Sequence, residues 1–281
     1  MTAVRRTLLL TFLLGLALGQ GHAADAARPA PAQAIPAAHP PGAVVASAHK
    51  LATDAGLDIL RQGGNAFDAA VAVSAVLSVV EPISSGLGGG GFFLLHDAKT
   101  GRDVFVDARE TSPASATPQA FLDKQGDLDN DRAQNGPWSA GIPGLPAALV
   151  HLSSRYGKLP LRTTLAPAIR IAREGFPVYG RFAKGYASRH EVMERYPGTR
   201  AVFLADGDAP EEGEIFLQPE LAKTLELLAD KGFDGFYRGE TAKKLLAGVK
   251  AEAGAGTHRN CPAIGCANAS RSASPTTAGR S

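Results

Sequence analysis

The sequence predicts an α+β fold, because short strand-like runs come early in the chain and helical segments cluster later. Residues 92–96 (FFLLH) and 103–108 (DVFVDA) are apolar runs separated by a turn, a pattern typical of a β-hairpin. Segments with helical spacing follow at 144–156, 165–174, 219–230 and 239–253. We therefore expect a layered α+β architecture of helices and an antiparallel strand pair.

The composition is that of a globular protein. The chain has 281 residues, of which 44% are hydrophobic and 20% charged, and its formal net charge is +2. Because so small a charge, with mixed signs, does not build a basic surface, we expect no nucleic-acid partner.

The first 23 residues have the pattern of a signal peptide. Arg5 and Arg6 precede an apolar run at 8–18, and Ala23 ends a small-residue cleavage pattern. The run is shorter than the roughly 20 residues of a transmembrane helix, so a cleaved signal is favoured over a stable membrane anchor. The prediction is an exported protein, periplasmic or secreted, with an Ala/Pro-rich linker at 24–42.

Two helices are predicted next. The segment 43–48 (AVVASA) is an apolar run that suits a buried strand, and helical spacing begins at His49. A Gly-Gly pair ends the first helix, and Asn65 is placed to cap the second. The second helix, 66–80, is apolar almost all round, which indicates burial on most of its sides.

Residues 254–281 depart from this patterning, since they contain one Ile and no Leu, Val, Phe, Tyr or Trp. Such a composition is typical of a disordered tail. The abrupt loss of periodicity after a well-formed helix also fits an out-of-frame translation, which is the interpretation we favour. Cys261 and Cys266 are spaced C-x4-C without nearby histidine pairs, so we expect no zinc or other metal, and no cofactor.

A glycine-rich run at 86–91 satisfies the pattern G-x-G-x-x-G, which raises the alternative of a dinucleotide-binding oxidoreductase. That site needs a strand before the glycines and a helix after them, because the helix N-terminus binds the pyrophosphate. Here a helical segment precedes the run and a strand follows it. We expect instead that the glycines allow close backbone approach to another layer or to a ligand.

Familiar hydrolase motifs do not occur in residues 43–253, the part of the sequence with regular hydrophobic patterning. It holds no G-x-S-x-G and no H-E-x-x-H. The histidines there are far apart and are interpreted as structural or surface residues: His49, His96, His151 and His190. The carboxylates Glu211, Glu212 and Glu214 are interpreted as a solvated loop rather than an acid/base pair. We therefore assign no catalytic residue.

Arg109 is the candidate binding residue. It follows the strand 103–108, and loops at strand ends often carry ligand-binding groups. Its planar guanidinium can bind a carboxylate through two parallel hydrogen bonds. On spacing alone, an ordinary salt bridge with Asp107 or Glu110 is the favoured interpretation.

A series of short motifs runs through residues 43–253. They are, in order, VVAS at 44–47, AGLxIL at 55–60, GGNAxDAA at 63–70, VVEP at 79–82, SGLGGGGF at 85–92, DxRETxP at 107–113, PG at 143–144, YGKLP at 156–160, APAI at 166–169, AREGF at 172–176 and FYxG at 236–239. Together these motifs resemble the γ-glutamyltransferase (glutathione hydrolase proenzyme) family, in its large-subunit part.

The resemblance implies an N-terminal-nucleophile hydrolase fold, an αββα sandwich shared by a large and a small subunit of one proenzyme. It implies transfer of the γ-glutamyl group of glutathione and related γ-glutamyl compounds to water or an acceptor amine. The nucleophile would be the N-terminal Thr of the small subunit. Matched by motif, Arg109 would bind the α-carboxylate of the substrate.

The resemblance covers only the large-subunit region, so we expect an incomplete sandwich. The family's nucleophile lies in a Thr-Thr-His-x-Ser-type segment, and residues 276–279 (TTAG) lack its His and Ser. We expect a chain that is truncated before that Thr and lacks its small subunit. Made alone, it should be inactive, and it should be unstable or aggregate. Two alternatives stay open: a related N-terminal-nucleophile acylase, and a non-catalytic periplasmic fragment that binds γ-glutamyl peptides.

Overall fold

The computed structural model describes residues 42–113, 116–204, 207–252 and 275–276. The predicted signal peptide, the linker up to residue 41, both cysteines and most of the segment 254–281 lie outside these residues. Within the described part of the chain, no helix combines the length and the apolar character needed to cross a membrane.

Helices dominate the described residues, and the strands are few and short. The first elements are α1 (Lys50–Arg61), α2 (Ala66–Val80), β1 (Gly91–Asp97), β2 (Arg102–Ala108), a 3-10 helix (Pro118–Phe121), α3 (Asn130–Gln134) and α4 (Leu145–Tyr156). They are followed by α5 (Leu161–Glu174), β3 (Phe176–Pro177), α6 (Gly180–Ala187), α7 (His190–Glu194), α8 (Pro197–Phe203), β4 (Ile215–Phe216), α9 (Pro219–Lys231), α10 (Phe233–Tyr237), α11 (Gly239–Glu252) and β5 (Pro275–Thr276). The helices and the hairpin predicted from spacing are present, so the α+β class is confirmed.

The start of α2 has the capping chemistry that the sequence predicts. Asn65 accepts hydrogen bonds from the backbone N–H groups of Phe67 (2.9 Å) and Asp68 (3.0 Å). In return the Asp68 carboxylate accepts from the backbone N–H of Asn65 (2.9 Å). This reciprocal pair satisfies N–H groups that a first helical turn otherwise leaves without partners. The apolar α2 that follows packs against α1, α4 and α5.

The strand predicted at residues 43–48 is wrong. These residues form neither helix nor strand, and Val44 is 76% exposed. An apolar run forms a strand only where a neighbour satisfies its N–H and C=O groups, and no described strand pairs with this run. Val45 packs on α1 instead, since a Cβ at Gly56 would lie 3.0 Å from its Cγ1.

The hairpin forms two strands of a small three-stranded sheet. β1 and β2 are antiparallel, with Gly91 opposite Ala108, and the sheet has the order β1-β2-β5. β3 and β4 form a separate two-stranded sheet. Side chains alternate along a strand, so the hairpin has two faces. The inner face buries Leu95, Val106 and Ala108, and β2 packs there against α4.

The other face of the hairpin is apolar and exposed. Phe92 is 56% and Leu94 is 78% exposed. Phe92 stacks on Phe105 across the strands, with ring centroids 5.6 Å apart. We name Phe92, Leu94 and Phe105 the outer hairpin face. Contiguous exposed apolar side chains of this kind mark contact surfaces.

Asp68 also ties α2 to the loop between α4 and α5. It is fully buried, and it accepts hydrogen bonds from the backbone N–H groups of Lys158 (2.9 Å) and Leu159 (3.3 Å). Beside it, the Asn65 side chain donates to the carbonyl oxygen of Tyr156 (2.7 Å). Because a buried carboxylate is tolerated only when its oxygens are hydrogen-bonded, this arrangement fixes α2 against the loop.

Side chains from distant parts of the chain hold the other end of α2. Gln218 donates to the carbonyl oxygen of Val79 (2.8 Å), and the Tyr179 hydroxyl donates to that of Val80 (3.1 Å) and to the buried Glu81 carboxylate. Burial and the hydrogen bond to Glu81 raise the pKa of Tyr179, so its hydroxyl remains a donor. These hydrogen bonds therefore fix the end of α2 from which the glycine-rich run continues.

Two histidines lie where their charged form is disfavoured. His49 caps α1 by accepting from the backbone N–H of Leu51 at Nδ1 (3.2 Å); burial lowers its pKa, and the Glu81 carboxylate opposes part of that effect. Burial and the nearby Arg155 lower the pKa of His151, whose buried Nε2 has no hydrogen-bond partner among the described residues. Both lowered pKa values favour neutral rings in the folded state.

We expect the protein to lose stability as the pH falls below about 6.5, the ordinary histidine pKa. Below that pH the unfolded chain binds protons that the folded chain resists, so acid favours unfolding until the lowered pKa values are passed. His49→Asn keeps a capping acceptor but does not titrate. Its urea midpoint should fall less between about pH 7 and about pH 5 than that of the wild type. An equal fall would assign the acid sensitivity to other groups.

Candidate functional site

Arg109 lies where separate segments of the chain meet. One is the glycine-rich run at 86–91, the second is the end of β2, and the third is the segment 141–144 that leads into α4. The carbonyl oxygen of Gly89 accepts a hydrogen bond from the backbone N–H of Gly144 (2.9 Å). The run is thus bonded to the N-terminus of α4, beside the strand end that carries the arginine.

The close backbone approach predicted for the glycine-rich run is confirmed. A Cβ at Gly90 would overlap the carbonyl oxygen of Ala108 and lie 2.8 Å from the Glu110 nitrogen. A Cβ at Gly144 would overlap the same Ala108 oxygen and lie 3.0 Å from the Arg109 oxygen. Only glycine fits at either position, because neither backbone contact can yield as a flexible side chain could.

The backbone around Arg109 is held on both sides. The Asp107 carboxylate accepts a hydrogen bond from the Arg109 backbone N–H (2.9 Å). Two residues further on, Thr111 and Ile142 exchange backbone hydrogen bonds of 3.3 and 2.8 Å. Hydrogen bonds therefore anchor the backbone on both sides of the arginine, as a ligand-binding position on a scaffold requires.

The Arg109 side chain is 68% exposed and forms the salt bridge that its spacing suggests. Its Nε donates to Glu110 Oε2 at 3.0 Å. Asp107, the other predicted partner, bonds only to the backbone of Arg109 among the described contacts. The bridge is exposed, so its contribution to stability is small.

Arg109 also lines a cleft of about 380 Å³. Glu110 and Ser139 contribute polar groups to the cleft, and Phe121 and Trp138 contribute aromatic rings. Trp138 is the single tryptophan of the chain. A cleft with one guanidinium, hydroxyl groups and aromatic walls has the chemistry to bind a small molecule that carries a carboxylate.

The other residues considered from the sequence take structural or surface positions. His49 caps a helix, His96 pairs with exposed Asp103 (2.7 Å), and His190 bonds to the carbonyl oxygen of Gly207 (2.9 Å). Residues 211–214 form an exposed loop, as predicted. The glycine-rich run follows α2 and precedes β1, which is the reverse of a dinucleotide site. No group of His, Cys, Asp or Glu that could hold a metal occurs within the described ranges.

Sequence reasoning missed the structural roles of Asp68 and Tyr179 and the place of Trp138 in the cleft. Asp68 could have been found, because it stands three residues after Asn65, the spacing of a capping box. Tyr179 and Trp138 carry no such local signal. Their partners lie far away in the sequence, and only the fold brings them together.

The chain is similar in sequence to known proteins. The Gamma-glutamyltranspeptidase family model matches residues 52–260. The glutathione hydrolase proenzyme of Bacillus subtilis (strain 168) is 38% identical over 219 residues, which are 77% of this chain and 37% of that protein. The chain therefore spans just over a third of the length of this relative.

Solved structures of other proteins are also similar to this chain, among them the following two. The γ-glutamyltranspeptidase of Helicobacter pylori has a TM-score of 0.74 at 35% identity, over 80% of this chain and 65% of that chain. The cephalosporin acylase of Bacillus halodurans has a TM-score of 0.69 at 29% identity, over 86% of this chain and 46% of that chain. The family match spans most of the chain and includes Arg109, the glycine-rich run and the segment before α4. This chain belongs to the γ-glutamyltranspeptidase family, a family of enzymes.

Proposed function

We propose that this chain is the large-subunit region of a γ-glutamyltransferase, or glutathione hydrolase. The complete enzyme would transfer the γ-glutamyl group of glutathione and related amides to water or to an acceptor amine. The observation that carries the proposal is the position of Arg109, which lines a cleft beside backbone segments that only glycine can form. The family match and the relatives named glutathione hydrolase support the reaction class.

Within that function, Arg109 would bind the α-carboxylate of the γ-glutamyl substrate. A guanidinium can donate two parallel hydrogen bonds to a carboxylate, which fixes the orientation as well as the charge. The cleft is large enough to admit an amino-acid-sized group. No residue of the described chain is assigned as the nucleophile, which would be the N-terminal Thr of a small subunit.

The small subunit would complete the αββα sandwich by covering the outer hairpin face. Phe92 and Leu94 are the most exposed large apolar side chains of the hairpin, which supports a second layer at this place. The region 43–253 would then be the large-subunit domain, exported after a signal peptide at 1–23 and a linker at 24–42. The 281 residues alone would lack turnover, because the matched region covers only 37% of the Bacillus relative.

Replacing Leu94 with lysine should reduce self-association of the isolated chain. Leu94 is 78% exposed, so a charged side chain is accepted there without loss of packing, and it interrupts the apolar face. Val202, another exposed apolar residue, gives the matched control Val202→Lys. Light scattering at increasing concentration should show delayed association for Leu94→Lys only. Equal delay in both variants would point to net charge rather than to the outer hairpin face.

Binding of L-glutamate tests the proposed site directly. Trp138 lies in the cleft and is the single tryptophan, so a saturable change in its fluorescence reports on ligand at this place. Arg109→Met should remove the change, whereas Arg61→Met, which breaks an exposed pair with Asp58 on α1, should retain it. A change that survives in Arg109→Met would reject the assigned role of Arg109. Saturable binding with no turnover of a γ-glutamyl anilide is expected for the isolated chain.

A related acylase is the second candidate function. The cephalosporin acylase of Bacillus halodurans matches 86% of this chain, so the same large-subunit scaffold occurs with a different named activity. Arg109 and its cleft would then receive another side-chain amide. Competition between L-glutamate and the side chain of a cephalosporin, followed by the fluorescence of Trp138, distinguishes the two candidate functions. Only the ligand that the cleft prefers should displace the other ligand at low concentration.

A further inference from the structure

The salt bridge of Arg109 uses only one edge of the guanidinium. Nε donates to Glu110 Oε2 at 3.0 Å, and neither Nη donates a hydrogen bond to any described residue. A guanidinium has five N–H donors, of which four are on the two Nη atoms. The pair with Glu110 therefore leaves the two Nη atoms of Arg109 available to bind a carboxylate. Salt bridge and ligand binding are compatible in this geometry.

The Glu110 side chain is itself confined by glycines. A Cβ at Gly89 would lie 3.3 Å from Glu110 Oε1, and a Cβ at Gly141 would lie 2.8 Å from Glu110 Cβ. Its side chain is 33% exposed, about half the exposure of the arginine that it holds. The carboxylate thus occupies a slot between the glycine-rich run and the segment before α4. A side chain at 141 would displace Glu110, and one at 89 would make a tight contact with its carboxylate.

We propose that Glu110 is a positioning residue, which fixes the Arg109 guanidinium so that its two Nη atoms face the ligand. This inference rests on the proposed function and deepens it. An exposed arginine otherwise samples many rotamers, and their loss on binding weakens affinity. With Nε bound to a confined carboxylate, most of that freedom is already lost before the ligand arrives. Glu110 would therefore contribute to affinity without touching the substrate.

Protection of Arg109 from an α-dicarbonyl reagent tests the proposal at residue resolution. Phenylglyoxal condenses with the two Nη nitrogens of arginine, and mass spectrometry of the digested chain reports each arginine separately. We expect Arg109 of the wild type to react and to be protected by L-glutamate. 4-Aminobutanoate, which lacks the α-carboxylate, should not protect. Arg132, which donates to the carbonyl oxygen of Ala120 (3.0 Å), is the internal control for folding.

In Glu110→Ala the glutamate concentration for half protection should rise about tenfold, while the reactivity of Arg132 stays unchanged. Glu110→Gln keeps an oxygen that accepts from Nε in the same slot, so it should rescue most of the loss. Gly141→Ala should reproduce the loss with the carboxylate intact, because its new Cβ displaces that of Glu110. If Glu110 only stabilised the fold, the glutamate concentration for half protection would not follow this order among the variants while the reactivity of Arg132 stayed unchanged.

Equal protection in the wild type and Glu110→Ala would overturn the positioning role and leave the proposed function standing. Absence of protection in the wild type would instead reject the proposed binding of the α-carboxylate by Arg109, and the positioning role with it. Loss of protection in Glu110→Ala together with a changed reactivity of Arg132 would be decided by Glu110→Gln. If Glu110→Gln folds and still shows no rescue, the proposal is also overturned.

Discussion

Replacing Asp68 with alanine should strongly destabilise the folded chain. The buried carboxylate accepts backbone hydrogen bonds from Asn65, Lys158 and Leu159, and alanine leaves all these N–H groups without that acceptor. Each buried donor left unsatisfied costs about 1–3 kcal/mol, so the sum is about 3–5 kcal/mol even after partial relaxation. That is a large part of the roughly 5–15 kcal/mol by which a domain is stable.

Urea denaturation followed by circular dichroism measures this loss. Asp68→Asn retains the shape and one acceptor oxygen, so its loss should be intermediate. Asp58→Ala, which removes an exposed carboxylate paired with Arg61 on α1, is the matched control and should change stability by less than about 1 kcal/mol. Similar midpoints for Asp68→Ala and Asp58→Ala would show that Asp68 does not hold α2 to the loop before α5.

Replacing Gly144 with alanine should disrupt the site around Arg109. The backbone of Gly144 is in the right-handed helical region (φ −107°, ψ −29°), which alanine adopts readily, so the effect is steric. The new Cβ would overlap the carbonyl oxygen of Ala108 and lie 2.7 Å from its carbon. Relief requires the end of β2 to move away from α4, at a cost of about 3 kcal/mol.

Gly248→Ala is the control with the opposite sign. Gly248 lies within α11, and a Cβ there has no atom within 4 Å. Alanine should therefore stabilise the helix by about 0.5–1 kcal/mol. Thermal unfolding should separate the two variants, and glutamate protection of Arg109 should be lost in Gly144→Ala alone. A folded Gly144→Ala with normal protection would contradict the close approach of these segments.

Local chemistry made the helices and the hairpin predictable. Asn65 caps α2 through bonds to residues two and three positions away, and β1 and β2 are joined by a short turn. Such elements need no distant partner to be recognised. The strand prediction for residues 43–48 was wrong because a strand, unlike a capped helix or a hairpin, can depend on a distant partner. The run is apolar enough for a strand, but pairing depends on a neighbour that no local pattern can supply.

The geometry of the candidate site could not be predicted, because it depends on contacts between residues that are far apart in the sequence. The motif at 107–113 pointed to Arg109, and the family resemblance suggested its role. That Gly144 lies against Ala108, and that Glu110 is held by Gly89 and Gly141, follows only from the fold. The sequence could also not decide between a salt bridge and a binding role for Arg109. The geometry shows that Glu110 takes Nε and leaves both Nη atoms.

Turnover by a chimera tests the central claim most directly. Residues 43–253 of this chain would replace the corresponding region of the Bacillus subtilis glutathione hydrolase proenzyme, which supplies the rest of the enzyme. We expect the chimera to mature into two subunits and to hydrolyse a chromogenic γ-glutamyl anilide. Arg109→Met in the chimera should mature equally but lose about 100-fold or more in kcat/KM. A matured chimera without γ-glutamyl turnover, or one whose turnover is indifferent to Arg109→Met, would contradict the claim that this chain builds a γ-glutamyl site around Arg109.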